Sequence, residues 1–307
     1  MKDNTPRVTV IMRCKNSDWV IAQALAGLFS QSYKDFELLV IDSGSTDRTL
    51  EIVKQFPHRL IQIEPTQYYP GSVLNMAIKK ARGELIVFQN SDAVPLRHDT
   101  LGNLIKAFDD PVNQAALTRQ LPRPEADTWV RHDYAQSFPD ADKTPPWITL
   151  SLPMAAMRKS IWQQHPFYTD AWASEDTEWG QWAVNNGQNI KYVKNALVMH
   201  SHNYTLKQVY GRKFVEGEAD AFIYDTKPSI LKSVIKLARK FLREAVFHLK
   251  VADIKGLLLM PARCFVSEKA HYQGLQLGHK RRLEGDTDPS KGQVTILSYY
   301  NDGKLVD

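Results

Sequence analysis

Four short apolar runs recur through the first third of the chain, at residues 8–12, 36–41, 59–63 and 84–88. Each is rich in Val, Ile and Leu and ends in polar or turn-forming residues, the pattern of strands buried on both faces of a parallel sheet. Between them the apolar residues recur at helical spacing. Residues 18–30 place Val20, Ile21, Leu25, Leu28 and Phe29 on one side, with Asp18 able to cap the start. A second helix is expected over 48–55. A third over 72–81 aligns Val73, Ala77, Ile78 and Ala81. Strand and helix alternating in units of about thirty residues predict a doubly wound, mostly parallel α/β sheet.

Beyond Pro95 the regularity weakens. The expected elements are a helix over 101–108, a strand near 115–117, a helical turn at 161–164, a helix over 176–186, and strands at 189–193 and 196–199. Residues 120–147, rich in Pro, Asp and aromatics, read as one long loop region, and such loops are often functional. From Ser229 the character changes. Ile230, Leu231, Val234, Ile235, Ala238, Phe241, Leu242, Ala245 and Leu249 form an apolar helical stripe interleaved with Lys232, Lys236, Arg239, Lys240 and Arg243. A further helix is expected over 262–277, and an added strand over 294–300. The stripe over 229–249 has two readings. It packs on the domain, as such helices usually do, or it lies on an anionic membrane surface.

The 307 residues have room for one large α/β domain with an appendage, or for two domains. With 43% hydrophobic and 24% charged residues the chain belongs with soluble globular proteins. No stretch approaches the roughly 18 apolar residues of a membrane span. The first residues lead into a strand without a signal-peptide pattern. Cys14 and Cys264 lie far apart, so a reduced, cytoplasmic protein without a disulfide framework is expected. The net charge of +5 suits a basic patch for phosphates or anionic lipid. Nucleic acid is not among the expected partners.

In an open α/β sheet, ligands bind beyond the carboxyl ends of the strands. Asp92 follows the run 84–88 after Gln89-Asn-Ser91, where a carboxylate can hold Mg²⁺ or Mn²⁺ against a diphosphate; the plainer reading is a turn or helix cap. Asp42 follows the second strand and can accept hydrogen bonds from a base or a ribose hydroxyl. Asp47 reads as the cap of the next helix. Neither a Gly-x-Gly-x-x-Gly after the first strand nor a P-loop pattern occurs, which argues against dinucleotide and P-loop folds. His200 and His202, at strand spacing, can share one side and complete a metal shell begun by Asp92, or be structural. Arg212 and Lys213 can clamp a diphosphate, or form a solvated basic face. Glu175 and Asp176 open a helix near Trp172 and Trp179, where two acids also suit the helix N-terminus electrostatically.

Several of these segments occur in the order seen in family 2 glycosyltransferases: Val10 to Asn16, Asp42 to Asp47, Gly71 to Asn75, Ala81 to Glu84 and Asn90 to Asp92. Arg119 to Arg123, Ser174 to Trp179 and His200 to Tyr204 resemble the bacterial rhamnosyltransferase branch. The resemblance covers roughly residues 7–220 and, more weakly, the helices to 280. It implies an A-type glycosyltransferase fold, a nucleotide-sugar donor, a divalent cation (Mg²⁺ or Mn²⁺) and inversion at the anomeric carbon.

Carried over by residue, it implies nucleotide-sugar contacts from Arg13, Asp42, Gly71, Asn75, Ser91 and Arg212. It implies metal ligation by Asp92 with His202 or His200, and a catalytic base in the acidic pair, Asp176 ahead of Glu175. Asn90 stands where the family's metal motif has its first acid, and Leu74 where an Arg often precedes the Asn. The expected organisation is a catalytic domain over 1–226, with the nucleotide side within 1–95 and the acceptor side over 96–226, followed by a helical extension over 227–307. The expected activity moves rhamnose from dTDP-rhamnose to a polysaccharide or lipid-linked glycan, in the cytoplasm or at the inner face of the membrane. The alternative, motivated by Asn90 and Leu74, is an inactive nucleotide- or glycan-binding protein of the same fold.

Overall fold

The computed structural model describes residues 5–293, so the strand expected over 294–300 lies outside the described residues. The four apolar runs form β1 (Val8–Cys14), β2 (Phe36–Asp42), β3 (Arg59–Gln62) and β4 (Leu85–Gln89). The helices between them are α1 (Ile21–Phe29), α2 (Thr49–Val53) and α3 (Pro70–Lys80). Asp18 does not cap α1. It sits in the turn before the helix, and its backbone N–H donates to Asp47 Oδ2 at 3.0 Å. Asp47 accepts as well from the Thr49 N–H, 2.9 Å away, at the start of α2.

The second half adds β5 (Val94–Pro95), α4 (Thr100–Lys106), β6 (Asn113–Leu121), α5 (Thr128–Ser137), β7 (Met154–Arg158), α6 (Lys159–Gln164), α7 (Glu175–Asn185) and β8 (Asn189–Met199). Three helices close the described chain: α8 (Leu206–Ile223), α9 (Ile230–Lys250) and α10 (Ile254–Leu283). The single sheet has the order β3-β2-β1-β4-β7-β6-β8-β5. β7 runs against both β4 and β6, and β5 against β8, whereas the other pairings are parallel. Apart from β5 and β7, therefore, the strands all point one way. Their carboxyl ends share an edge with the start of β7, where Gln89 faces Met154.

Side-chain alternation divides the core. Ile11, Leu39, Ile41, Ile86 and Phe88 face one layer with α3 and α7. Val8, Val10, Met12, Leu38, Val40, Leu85 and Val87 face the other with α1 and α4. This period of two, buried on both faces, is why the runs read as continuous hydrophobic stretches.

The second half departs from the expected reading in several places. The expected loop over 120–147 contains α5. β7 and α8 lie where no regular element was expected. The two strands expected over 189–199 are one, with an irregularity where Thr118 and Arg119 meet Val193 and Leu197. α10 starts well before residue 262 and runs through Pro261; packing against α8 and α9 holds the helix despite the missing N–H. α8 and α10 touch backbone to backbone: a Cβ at Gly217 would meet the His271 carbonyl oxygen at 2.1 Å, and one at Gly274 would meet that of Phe214 at 1.8 Å. Glu218 and Arg281 pair across this contact, both fully buried and 2.5 Å apart. The expected 226/227 boundary falls in the connection between α8 and α9.

Candidate active site

The turn after β4 is fastened from several sides. The Gln89 amide donates to the carbonyls of Ala24 (3.3 Å) and Ala93 (3.0 Å), and the Ser91 hydroxyl lies 2.9 Å from that of Ser17. Arg123, just beyond β6, donates through Nη2 to the Asp92 carbonyl at 2.5 Å. These contacts hold the Asp92 side chain against the residues that leave β8. His202 Nε2 lies 3.0 Å, and His200 Nε2 3.7 Å, from Asp92 Oδ2. The two imidazoles are 3.3 Å apart at Nε2. Among the described residues, these three form a group whose ligand atoms all lie within 4.8 Å of one another.

The chemistry of this cluster fits a divalent cation. Both Asp92 carboxylate oxygens are buried and neither receives an aligned hydrogen bond, an arrangement that is costly without a compensating charge. Gln120 Oε1 lies 3.1 Å from His200 Nδ1, while the Gln120 amide group donates to Ser151. That places the His200 proton on Nδ1 and leaves its Nε2 lone pair facing Asp92, the orientation a ligating imidazole needs. Burial pushes the His200 imidazole down to about 3, against the pull of Asp92, so the ring is neutral. Burial would raise the Asp92 carboxyl, but the histidines and Arg123 outweigh it and hold the group well below the usual carboxylate range. One carboxylate and two imidazoles suit Mn²⁺ better than Mg²⁺, which favours all-oxygen shells.

The acidic pair stands at the start of α7, following Ser174 in the left-handed region at φ 66°. Arg13, at the end of β1, bridges the two halves of the site. It donates through Nη1 to Glu175 Oε1 at 3.2 Å and through Nη2 to Asn90 Oδ1 at 3.3 Å. Asn90 is thereby a neutral partner for Arg13, and Glu175 is committed to an ion pair. Asp176 accepts from the Thr177 N–H at 2.7 Å. Burial, and then the neighbouring Glu175 charge, push its carboxyl up to about 6. A carboxylate in that range is suited to take a proton near neutral pH. A cleft of about 420 Å³ is lined by Arg13, Asn90, Trp172, Asp176, His200 and Arg212 among others, so the acidic pair and His200 border one space.

The residues expected around the nucleotide fare differently. Arg212 lines the cleft and lies over the Tyr204 ring, 5.0 Å from its centroid; Tyr204 in turn stacks on His202. Asp42 is fully buried and accepts from the backbone N–H groups of Gly44 and Ser45 and from the Ser45 hydroxyl. Any contact from it to a nucleoside requires Ser45 to give way. Ser91 is likewise buried against Ser17. Gly71 and Asn75 are engaged in packing and hydrogen bonds within the fold. A Cβ on Gly71 would lie 2.2 Å from the Tyr168 carbonyl oxygen. Asn75 spends its amide on the Phe167 backbone and the Trp162 indole, anchoring α3 to the 165–168 loop. Leu74 is a buried core residue.

Sequence reasoning missed Tyr134, whose hydroxyl lies 3.1 Å from His200 Nδ1, and gave Gln120, inside a quoted motif, no role. Tyr134 belongs to α5, inside the stretch read as loop, and carries no local signal. Arg123 stood within a quoted motif without an assigned role.

The glycosyl transferase family 2 model matches residues 9–166, more than half of the chain. The chain belongs to glycosyl transferase family 2. It is similar to the O-antigen chain rhamnosyltransferase RfbN of Salmonella typhimurium, 27% identical over 224 residues, which are 69% of this chain and 71% of that one. It is also similar to the O-antigen chain rhamnosyltransferase WbaN of Salmonella anatum, at 28% over 201 residues, 61% of this chain and 63% of the relative. Among solved structures, the mannosyltransferase PcManGT from Pyrobaculum calidifontis, in complex with GDP-Man and Mn²⁺, superposes with a TM-score of 0.60 at 20% identity, covering 90% of this chain and 87% of that one. Staphylococcus aureus TarS 1-349, in complex with UDP-GlcNAc, gives 0.55 at 18% identity, covering 91% and 92%. This family 2 chain therefore has the A-type glycosyltransferase fold, and a nucleotide-sugar donor goes with its family.

Proposed function

We propose that this protein is an inverting, metal-dependent hexosyltransferase that passes rhamnose from dTDP-rhamnose to a hydroxyl of a polysaccharide or lipid-linked glycan. The observation that carries the reading is the shared cleft, lined on one side by Asp176, whose carboxyl is raised by burial, and on another by His200 of the Asp92–His200–His202 cluster. The sugar is taken from the likeness to the two rhamnosyltransferases.

Asp176 takes the proton of the acceptor hydroxyl as its oxygen bonds to the anomeric carbon. The bond from that carbon to the diphosphate oxygen breaks on the opposite face, and the electron pair leaves with the diphosphate. One displacement inverts the centre and needs one base, and Glu175, paired with Arg13, is held out of that role. Asp92, His200 and His202 would hold a divalent cation, which supplies charge neutralisation for the leaving diphosphate. Arg212 reaches the same cleft and adds a fixed positive charge. The two departures that favour an inactive protein both have structural accounts: Asn90 partners Arg13, and Leu74 fills the core.

The test is release of dTDP from dTDP-rhamnose in the presence of Mn²⁺ and a rhamnose-accepting glycan, with the anomeric configuration of the product read by NMR. Turnover with inversion supports the reading. Turnover with another nucleotide-sugar alone moves the donor assignment, and no release from any donor overturns catalysis.

A further inference from the structure

We propose that the outer face of α9 docks this protein on a membrane surface bearing anionic lipid headgroups. A surface helix ordinarily turns its apolar stripe to the core; α9 does the reverse. Ile230, Leu231, Val234, Leu242 and Leu249 are 69%, 70%, 56%, 67% and 65% exposed. The helix is fastened to the body largely through its polar side. Lys240 Nζ donates to Ser267 Oγ at 2.9 Å, Glu244 pairs with Arg263, and Lys236 lies 3.7 Å from Glu268. Of its large apolar residues Leu237 and Phe247 are half-buried, and Phe247 stacks on His132 at 3.8 Å. At the turn into α10 the apolar exposure continues with Ile254 and Leu258, 72% and 74% exposed.

The occupant follows from charge. At about 100° per residue, Arg239, Lys232, Lys250 and Arg243 fall in a row along one border of the stripe, and all four are exposed. The one acid of α9, Glu244, is turned inward to Arg263. The outward side thus combines large aliphatic groups with cations and no carboxylate, the composition of a helix lying in the headgroup region. A second copy meeting this face about a two-fold axis would bring cationic rows together. Among the described residues no helix is long and apolar enough to cross a membrane, so α9 would lie on the surface. α9 also borders, through Lys240, Arg243 and Phe247, a cavity of about 340 Å³ that shares Tyr134, His200 and Arg212 with the cleft. Docking would hold this side of the site beside the headgroups.

The experiment is cosedimentation of the full chain with vesicles of phosphatidylcholine alone or mixed with phosphatidylglycerol, at low and high salt. Two variants accompany the wild type: Lys232, Arg239, Arg243 and Lys250→Gln, and Leu231, Leu242 and Leu249→Gln. These side chains are exposed and Gln is a good helix former, so both variants keep the fold, checked by circular dichroism. The wild type is expected to pellet with the anionic vesicles and to be released by salt. The charge variant should partition at least about 10²-fold more weakly, and the apolar variant should lose binding as well. No pelleting of the wild type at low salt overturns the proposal, as does equal pelleting of all three proteins. A dimer in solution that the apolar variant disperses, without vesicle binding, assigns the face to a second copy and also overturns it. The readout is vesicle binding alone, so it stands apart from the transferase chemistry.

Discussion

Asp176 and its neighbour Glu175 have like chemistry and adjacent positions, yet different surroundings separate them. Arg13 neutralises Glu175, while burial and the nearby charge lift Asp176 to about 6. Asp176→Asn should reduce transfer by about 10²–10⁴-fold with donor binding nearly intact, measured by nucleoside diphosphate release beside calorimetric donor titration. In the wild type kcat/KM should fall as pH drops through about 6, because the base is active when deprotonated. The same shift has a stability consequence. Between the ordinary value of 3.8 and about 6 the folded chain binds a proton that the unfolded chain releases, so the ionised group destabilises the fold increasingly as pH rises through that window. Asp176→Asn should therefore melt above the wild type at pH 8 and near it at pH 4, by differential scanning calorimetry. At the other wall, Asp92→Ala removes the one carboxylate of the ligand group. Mn²⁺ binding, and the Mn²⁺-dependent part of nucleoside diphosphate affinity, should be lost in calorimetric titration. Unchanged affinity would remove Asp92 from the metal site.

At the scale of elements, the α8–α10 pair is the interface most sensitive to single changes. Its backbones meet at Gly217 and Gly274, and its one fully buried ion pair joins Glu218 to Arg281. Arg281 also donates to the Asp170 carbonyl, in the segment that precedes α7, so the pair ties the C-terminal helices to the neighbourhood of the acidic residues. Glu218→Ala leaves the Arg281 guanidinium buried with the neutral Asp170 carbonyl and, as its remaining carboxylate, Asp286 at 3.5 Å. Loss of one partner of such a pair costs about 3–5 kcal/mol. Urea denaturation should show a lowered midpoint, with transfer activity falling as α7 loses its support. A change below about 1 kcal/mol, the range of an exposed pair, would mean that the contact is not buried in solution.

Over the whole molecule, the sheet and the C-terminal helices enclose one site from opposite directions. β1, β4, β6 and β8 deliver Arg13, Asn90 to Asp92, Arg123, His200 and His202 to the carboxyl edge, and α5 and α8 close it with Tyr134 and Arg212. A ligand that binds this folded arrangement alone raises its melting temperature. At a hundredfold excess over its Kd it adds about 2.7 kcal/mol. dTDP should therefore stabilise the chain with Mn²⁺ far more than with Mg²⁺ or after chelation, read by thermal shift. Equal shifts with and without Mn²⁺ would remove the cation from nucleotide binding.

The chain through Asp92 was legible as sequence because β1, β2 and β4 are local apolar runs, most of them buried on both faces, and each ends at the edge where ligands bind. His200 and His202 were candidates by their strand spacing and Glu175 and Asp176 as acids opening a helix, with the roles of all four implied by the family resemblance. The second half was not legible in this way. β7 is a short antiparallel insertion, and α5 is a weakly amphipathic helix in a Pro-rich stretch, so neither carries a period that its own residues reveal. Tertiary structure alone decided which acid is free, since that depends on an arginine at the end of β1. It brought Gly71 and Asn75 against the 165–168 loop, partners distant in sequence that no local pattern reveals. It also decided the direction of the α9 stripe. An amphipathic sequence fixes the angle between apolar and charged faces, and only the partners of Lys240 and Glu244 determine which face turns to the protein.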